Sequence, residues 1–264
     1  MRQVPAGHSP RAADVTANGR ESEEVRPPWG IWIDVEGFSN LWSAGDLALR
    51  GLQHLTRMIF AIGTRCYPDD PERLFAHQIG DGFYIASDFH EASLDRCAAI
   101  AIVLMRGMTA AGCVARAAIA EGDLADYAGC RPSEVQRQAV RDGDDDVIRL
   151  GSGIMTLLAV MGQGIINAVT LDKLADTKGA ILTIARPNRA RLSSGFHTLP
   201  LDVNADILAV DWVHSSNPLI DRIAIKSGLG LIDEGGLEEC LRAYVDKHRL
   251  KSSWSDPTFR YAGL

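Results

Sequence analysis

The sequence predicts an α/β (α+β) fold of the ferredoxin-like or palm type, in which helices flank a mixed sheet. Two observations lead to this expectation. Segments typical of strands alternate with segments of helical periodicity over residues 29–122, and one pair of strands in this stretch is joined directly as a hairpin. Alternation with an internal hairpin favours a mixed sheet, and we expect its helices on one face.

The first strand, the helix that follows it and the hairpin are the clearest elements. Residues 29–35, Trp-Gly-Ile-Trp-Ile-Asp-Val, form an apolar run rich in β-branched and aromatic side chains, as is typical of a buried strand. Over 46–62, leucine and isoleucine recur at three- and four-residue spacing, which indicates an amphipathic helix. Residues 74–79 and 83–86 flank Gly80-Asp81-Gly82, so they are predicted to pair as a β-hairpin.

The remaining elements are predicted from the same two periodicities. In chain order they are a helix, a strand, a long helical segment interrupted by glycine, two strands and a last helix, at 91–108, 113–120, 148–173, 180–184, 206–213 and 235–248. Residues 1–28 carry almost no large apolar side chains, so they are predicted to be a disordered tail. We therefore assign 29–200 to the globular domain and 201–264 to a C-terminal extension that completes or caps it.

Composition argues against several classes of function. The chain has 264 residues, a formal net charge of -7 and five cysteines without a CxxC pair. Binding to nucleic acid or to an anionic membrane is driven by clustered Lys and Arg, so neither is expected here. Scattered thiols suit a reducing compartment, and no run approaches the roughly 18 apolar residues of a membrane helix. The sequence thus predicts a cytoplasmic protein.

Asp34 and Asp81 are the candidate metal ligands, because each follows an apolar strand at a point where solvent is near. In a mixed sheet the first strand and the hairpin commonly lie side by side, so the two carboxylates are expected to converge. Carboxylate oxygens suit Mg2+ or Mn2+, and a pair of such ions can activate an attacking oxygen while neutralising phosphates. The alternative is structural, since Asp at a strand end is usually a turn former or a helix cap.

Three motifs resemble those of the class III adenylate and guanylate cyclases, in the same order. Residues 33–39, Ile-Asp-Val-Glu-Gly-Phe-Ser, look like the first metal motif of that family, and 78–83, Gln-Ile-Gly-Asp-Gly-Phe, look like the second. Residues 114–124 are similar to the strand and turn that follow. The resemblance covers about residues 29–175, and it implies that the domain is a class III nucleotidyl cyclase catalytic domain.

The resemblance also implies a mechanism and a set of site residues. The family forms a head-to-tail homodimer with active sites at the subunit interface, where the 3'-hydroxyl of a nucleoside triphosphate attacks the α-phosphate and releases pyrophosphate. Two Mn2+ or Mg2+ ions would be held by Asp34, Val35 and Asp81, and Asn167 would complete the catalytic set. Nucleotide contacts are implied for Val35, Glu36, Gly37, Phe38, Ser39, His77 and Arg116.

Two positions depart from the family. The residue that reads the base in purine cyclases is Lys or Glu, whereas His77 stands at that position. The helix that carries Asn167 has Leu171 where the family has an Arg that stabilises the transition state, and Lys173 is the nearest cation. Arg116 has an alternative role, as one half of a salt bridge on the face of the sheet.

An altered base pocket in a small, free-standing cyclase domain resembles the pyrimidine cyclases of bacterial Pycsar anti-phage systems. That resemblance implies conversion of UTP or CTP to cyclic UMP or cyclic CMP, a signal that a separate effector protein reads. His77 offers both a donor and an acceptor, which suits the uracil imide edge. Two alternatives stay open: a purine cyclase that uses ATP or GTP, and a catalytically silent module for nucleotide binding or dimerisation.

Overall fold

The structure is a computed structural model, and it describes residues 28–38, 47–67, 74–87, 91–126, 131–142, 147–157 and 160–264. The predicted tail, apart from its last residue, lies outside the described residues, and so does Ser39. Among the helices of the described part, none combines the length and the apolar character needed to cross a lipid bilayer.

The described residues form strands and helices that follow the predicted order over the first half of the chain. The strands are β1 (Trp29–Val35), β2 (Leu74–Ile79), β3 (Gly82–Ser87), β4 (Ala115–Glu121), β5 (Ala125–Asp126), β6 (Val147–Leu150), β7 (Gly153–Thr156), β8 (Val160–Met161), β9 (Leu182–Ala185), β10 (Thr198–Pro200) and β11 (Ile207–Val210). The helices are α1 (Leu47–Cys66), α2 (Asp95–Ala110), α3 (Ser133–Asp142), α4 (Gln163–Leu174), α5 (Pro218–Ser227), α6 (Glu234–His248) and α7 (Ser252–Tyr261), with a 3-10 helix at Arg186–Arg191.

A central sheet organises the fold, and in the described residues it has seven strands in the order β10-β11-β9-β4-β1-β3-β2. The pair β4–β9 is parallel, and all other neighbours are antiparallel. The predicted mixed sheet and the predicted hairpin β2–β3 are therefore confirmed. Strand β1 lies near the middle of the sheet, between β3 and β4, so its polar residues are surrounded by strands on both sides.

Side chains of β1 alternate between the two faces of the sheet. Ile31 and Ile33 are fully buried in the main core together with residues of α1 and α2. Trp32 lies on the opposite face, where it packs in a second cluster with Tyr84 of β3 and Ile165 of α4. Helices thus cover both faces of the sheet, and the expectation of helices on one face alone was wrong. The physical reason is that β1 carries large apolar side chains on both faces, Ile31 and Ile33 on one and Trp32 on the other, and each set needs a covering layer.

The prediction of a long helix over 148–173 was also wrong for the first half of that range. Strands β6 and β7 pair as a separate antiparallel hairpin, β8 pairs with β5, and only α4 is helical. Gly151, with φ of +65°, makes the turn between β6 and β7 in a backbone conformation that glycine adopts most easily. Two short strands joined by a turn place apolar residues at intervals that resemble helical periodicity, and the sequence pattern therefore predicted a helix here.

The C-terminal residues contribute to the same sheet and to the layer of helices on it. Strand β11 pairs with β9 and β10, α5 packs on α1 and α2, and α6 packs on α2. Trp212, fully buried, donates its indole N–H to the carbonyl of Ala180 at 2.9 Å. Arg106 of α2 is anchored by three carbonyls of the segment after β11, those of Trp212, Val213 and Ser215.

Candidate active site

The two residues predicted to bind metal, Asp34 and Asp81, occupy neighbouring backbone positions at one end of the sheet. In the antiparallel pair β1–β3, Asp34 faces Gly82, and Asp81 is the residue directly before Gly82. On its other side Asp34 faces Arg116 of β4. Because residues opposite each other in a sheet share a face, Asp34 and Arg116 both lie on the face that α4 covers.

The turn between β2 and β3 depends on glycine at two positions. Gly80 has φ of +65°, in the left-handed region that favours glycine. At Gly82, a Cβ atom would lie 2.8 Å from Cζ2 of Trp32 and 3.1 Å from Cβ of Asp34. The absence of a side chain at Gly82 therefore lets Trp32 and Asp34 occupy the space over the hairpin, and it leaves the Asp34 carboxylate beside the turn that carries Asp81.

Asp34 belongs to a group of acidic side chains that the sequence reveals only in part. Burial raises its pKa to about 7, and the nearby charges of Asp172, Glu36 and Asp81 add to the rise, while Arg116 opposes it. Its Oδ1 atom is buried without a hydrogen-bond partner among the described residues. An ionised carboxylate in such a place has lost its water and gained no donor in return, which is costly. The site is therefore deficient in positive charge.

Arg116 is the cation closest to this group, and its guanidinium is engaged by protein atoms. It forms an ion pair with the carboxylate of Asp172 in the last turn of α4, and it donates to the carbonyl of Thr177 just after that helix. It also donates to the backbone carbonyl of Asp172 at 3.1 Å. Arg116 therefore forms a salt bridge on the face of the sheet, which is the alternative role that the sequence left open for it. A contact between Arg116 and a nucleotide stays a prediction.

Glu36 lies two residues after Asp34, and its carboxylate has two donors. The indole N–H of Trp254 in α7 donates to Oε1 at 2.9 Å, and the backbone N–H of Gly179 also hydrogen-bonds the carboxylate. Burial raises the pKa of Glu36, and these hydrogen bonds act in the opposite direction. Gly37, with φ of +74°, turns the chain away directly after it.

The other residues of the first motif frame the end of β1. The side chain of Val35 is buried in the main core, at 2% exposure, so only its backbone is placed to contact a ligand. Phe38 is half-buried and packs against the same core. Ser39, the last residue of the motif, lies outside the described residues.

Asn167 lies near the middle of α4, where the helix contacts the opposite end of β4 from Arg116. Its side-chain amide donates to the carbonyl of Glu121 at 2.8 Å, and Glu121 faces Trp29 at the start of β1. Glu121 lies five positions after Arg116 on β4, which corresponds to about 17 Å along the strand. Within one chain, the fold therefore does not bring Asn167 to the carboxylates. It lines a groove of about 310 Å³ between α4 and the 3-10 helix.

The departures from the family motif have clear positions in the fold. Leu171, which stands where the resemblance implied an Arg, is an apolar side chain at 8% exposure that packs against the sheet and lines the same groove as Asn167. Lys173 is exposed in the last turn of α4. His77 lies on the outer strand β2 opposite Tyr84, in the row of residues that contains Trp32, two rows away from Asp34.

Three residues of this site were not found by sequence reasoning: Asp172, Gly179 and Trp254. The sequence does contain a signal for Asp172, because it follows Asn167 by five residues in the segment predicted to be helical. Trp254 had none, because it lies 218 residues from Glu36 and only tertiary packing brings the two together.

Replacing Arg116 by Met is expected to lower the free energy of unfolding of the metal-free protein by about 3 kcal/mol, because Asp172, which is 19% exposed, and Asp34 would lose their nearest positive charge. Urea unfolding in the presence of EDTA measures the change. The matched control is Arg260→Met, which breaks an exposed ion pair with Asp202 and is expected to cost about 1 kcal/mol or less. Equal losses for the two variants would contradict the buried role of Arg116.

No protein-family model matches the chain, and no curated protein matches it. Two solved structures of a bacterial light-regulated adenylyl cyclase are similar to it, with TM-scores of 0.41 and 0.39 and sequence identities of 12% and 13%. Each alignment covers 78% of this chain and 58% of the solved chain. The chain thus spans less than two thirds of the length of the solved chains to which it is similar.

Proposed function

We propose that this chain is a metal-dependent pyrimidine nucleotide cyclase, which converts UTP or CTP to the 3',5'-cyclic monophosphate and pyrophosphate. The observation that carries the proposal is the carboxylate of Asp34, whose buried Oδ1 has no hydrogen-bond partner in the described residues and whose neighbours include Asp81, Asp172 and Glu36. Asp34 stands in the first of two motifs that resemble the metal motifs of class III cyclases, and the second motif, which carries Asp81, lies beside it in the sheet.

The residues present fit a divalent cation. The donors are carboxylate oxygens, which Mg2+ and Mn2+ prefer, and the site carries more negative than positive charge. Within the described residues, no three His, Cys, Asp or Glu side chains are grouped so that they could hold an ion by themselves. Asp34, Asp81 and the carbonyl of Val35 would hold two Mn2+ or Mg2+ ions, which when bound would neutralise the triphosphate and activate the 3'-hydroxyl. The substrate phosphates would complete the coordination.

The remaining residues of the first motif are assigned to the phosphates. The backbone N–H of Glu36 is donated to the carbonyl of Val114 at 3.0 Å. Gly37 makes a tight turn directly after it, and the backbone N–H groups of Gly37 and Phe38 are donors suited to phosphate oxygens. Glu36 supports this turn through its own hydrogen bonds to Trp254 and Gly179. The chain itself therefore provides the carboxylates and the backbone donors at one end of the sheet.

Active sites shared between two subunits are part of the proposal. Asn167 is bound to the carbonyl of Glu121, which lies about 17 Å along β4 from Arg116, the residue opposite Asp34, so one chain does not unite the two halves of a site. Around Asn167 the surface is apolar, since Met161, Ile166 and Leu174 are 49%, 47% and 56% exposed. Exposed apolar side chains in one region favour a protein interface. In a head-to-tail homodimer, Asn167 of one subunit would face the carboxylates of the other.

Pyrimidine specificity is assigned to His77. It replaces the Lys or Glu that reads a purine in the family, and an imidazole provides one donor and one acceptor for the uracil edge. A site that pairs the polar edge of a pyrimidine leaves that of a purine unpaired, which is a strong source of discrimination. The product would act as an alarm signal in anti-phage defence, read by a separate effector protein.

Incubation with Mn2+ and each of ATP, GTP, CTP and UTP in separate reactions, followed by mass spectrometry, is expected to yield cyclic UMP or cyclic CMP. A product from ATP or GTP alone would instead establish a purine cyclase. Absence of product from all four, in a folded dimeric preparation, would favour a silent nucleotide-binding module. The buried Leu171 at the position of the family's Arg is the observation that favours this second candidate.

A further inference from the structure

We propose that Trp254, in the last helix of the chain, is a positioning residue for the candidate metal site, because its indole N–H holds the carboxylate of Glu36 beside Asp34. The inference rests on the proposed function, since it gives a role to α7 at the site formed by Asp34 and Asp81. It adds to that site a residue outside every motif that resembles the cyclase family.

The first observation is the direct contact between α7 and the end of β1. The indole nitrogen of Trp254 lies 2.9 Å from Oε1 of Glu36, and the Trp254 side chain is buried at 8% exposure. Its ring packs against Tyr244 of α6, with 5.9 Å between the ring centroids. The indole is thus fixed on its apolar side by α6, and its single N–H is directed at the carboxylate.

The second observation is that α7 also holds the loop that supplies the other donor to Glu36. Thr258, one turn after Trp254, accepts the backbone N–H of Ala180 at 3.1 Å and donates to the carbonyl of Trp254 at 2.9 Å. A Cβ atom on Gly179 would lie 2.1 Å from the Thr258 hydroxyl, so the loop touches α7 without any gap. The N–H of Gly179 that reaches Glu36 is therefore placed by the same helix.

The third observation is the charge around Glu36. Asp34 and Asp172 lie close enough to repel its carboxylate, and Arg116, which is paired with Asp172, is the cation that attracts it. Without the indole N–H, the carboxylate would have one fewer donor and would turn away from Asp34. With the indole, its negative charge stays within the site, where it favours a bound cation and keeps the turn at Gly37 in place. Mutation of a residue that holds a metal site in place without touching the ion typically lowers metal affinity by about 10- to 100-fold.

The test uses the full chain and Mn2+ alone, with free Mn2+ measured by electron paramagnetic resonance. Trp254→Phe keeps an aromatic ring on Tyr244 but removes the N–H, and we expect it to weaken Mn2+ binding by about 10-fold or more. Tyr261→Phe is the matched control, because it removes one hydrogen bond of the same helix, to the backbone N–H of Asp202, without touching Glu36. We expect it to leave Mn2+ affinity unchanged.

Glu36→Gln separates a positioning effect from a general effect on α7. It leaves the packing of the helix in place and is expected to weaken Mn2+ binding as Trp254→Phe does, while adding Trp254→Phe to it should cause no further loss. Equal Mn2+ affinity in Trp254→Phe and the unaltered protein would overturn the positioning role and leave the proposed function intact. Absence of Mn2+ binding by the unaltered protein would overturn the metal site and the positioning role together.

Discussion

Replacement of Asp34 by Asn is expected to abolish formation of the cyclic nucleotide and, at the same time, to stabilise the metal-free protein. Asn has nearly the same shape as Asp but carries no charge for a cation, so activity should fall by about three orders of magnitude, or about 4 kcal/mol of transition-state stabilisation. The gain in stability follows from removing a buried carboxylate whose Oδ1 has no hydrogen-bond partner among the described residues.

The pH dependence of this gain has a definite sign. The pKa of Asp34 is raised from 3.8 to about 7 in the folded protein, by burial first and then by neighbouring carboxylates. Between these two values the folded state keeps a proton that the unfolded state has lost, so the stability that the proton contributes is complete below pH 3.8 and is lost as the pH rises through about 7. A difference of about 3 in pKa corresponds to about 4 kcal/mol. The Asp34→Asn variant has no proton to lose at this position, so it avoids this loss.

Urea unfolding of both proteins in EDTA at about pH 4.5, 6 and 7.5 measures the effect. The stability of Asp34→Asn relative to the unaltered protein should rise across this range, whereas Asp202→Asn, which changes an exposed carboxylate, should show no such trend. Added Mn2+ should stabilise the unaltered protein and not Asp34→Asn, because a ligand stabilises only the protein that binds it. A difference in stability that does not change with pH would contradict the burial of the Asp34 charge.

Mixed dimers of two inactive variants are expected to recover about a quarter of the unaltered activity. In a dimer of Asp34→Asn and Asn167→Ala chains, one of the two sites combines the intact carboxylates of one chain with the intact Asn167 of the other. Half of the dimers formed by random pairing are mixed, and each has one complete site in two. Refolding the two chains together and measuring cyclic nucleotide by mass spectrometry gives the recovery.

The matched control is a mixture of Asp34→Asn and Asp81→Asn chains. Both substitutions lie in the same half of the site, since Asp81 directly precedes the residue opposite Asp34. Every site in such a dimer lacks one carboxylate, so no recovery is expected. Recovery in the control, or none in the test mixture, would contradict sites that are shared between subunits.

The mixed sheet and the pair Asp34–Asp81 could be predicted because their signals are local. The alternation of apolar residues in β1 and the glycines around Asp81 identify a strand and a hairpin from a few consecutive residues. Pairing of these elements in one sheet then places Asp34 and Asp81 at neighbouring backbone positions, as the register in the structure shows, and their role as metal ligands stays a prediction. The hairpin β6–β7 was missed because short strands and a turn resemble helical spacing over a limited stretch.

By itself, the sequence determined which residues are candidates for the chemistry proposed for this protein: two aspartates at strand ends, a tight glycine turn, and a helix with Asn167. Only the tertiary structure determined which charges surround those residues and which contacts fix their positions. Asp172 reaches Arg116 and Asp34 because α4 packs on β4, and Trp254 reaches Glu36 across 218 residues because α7 folds back on the end of β1. Such contacts depend on packing between distant segments, and no periodicity within a segment encodes them.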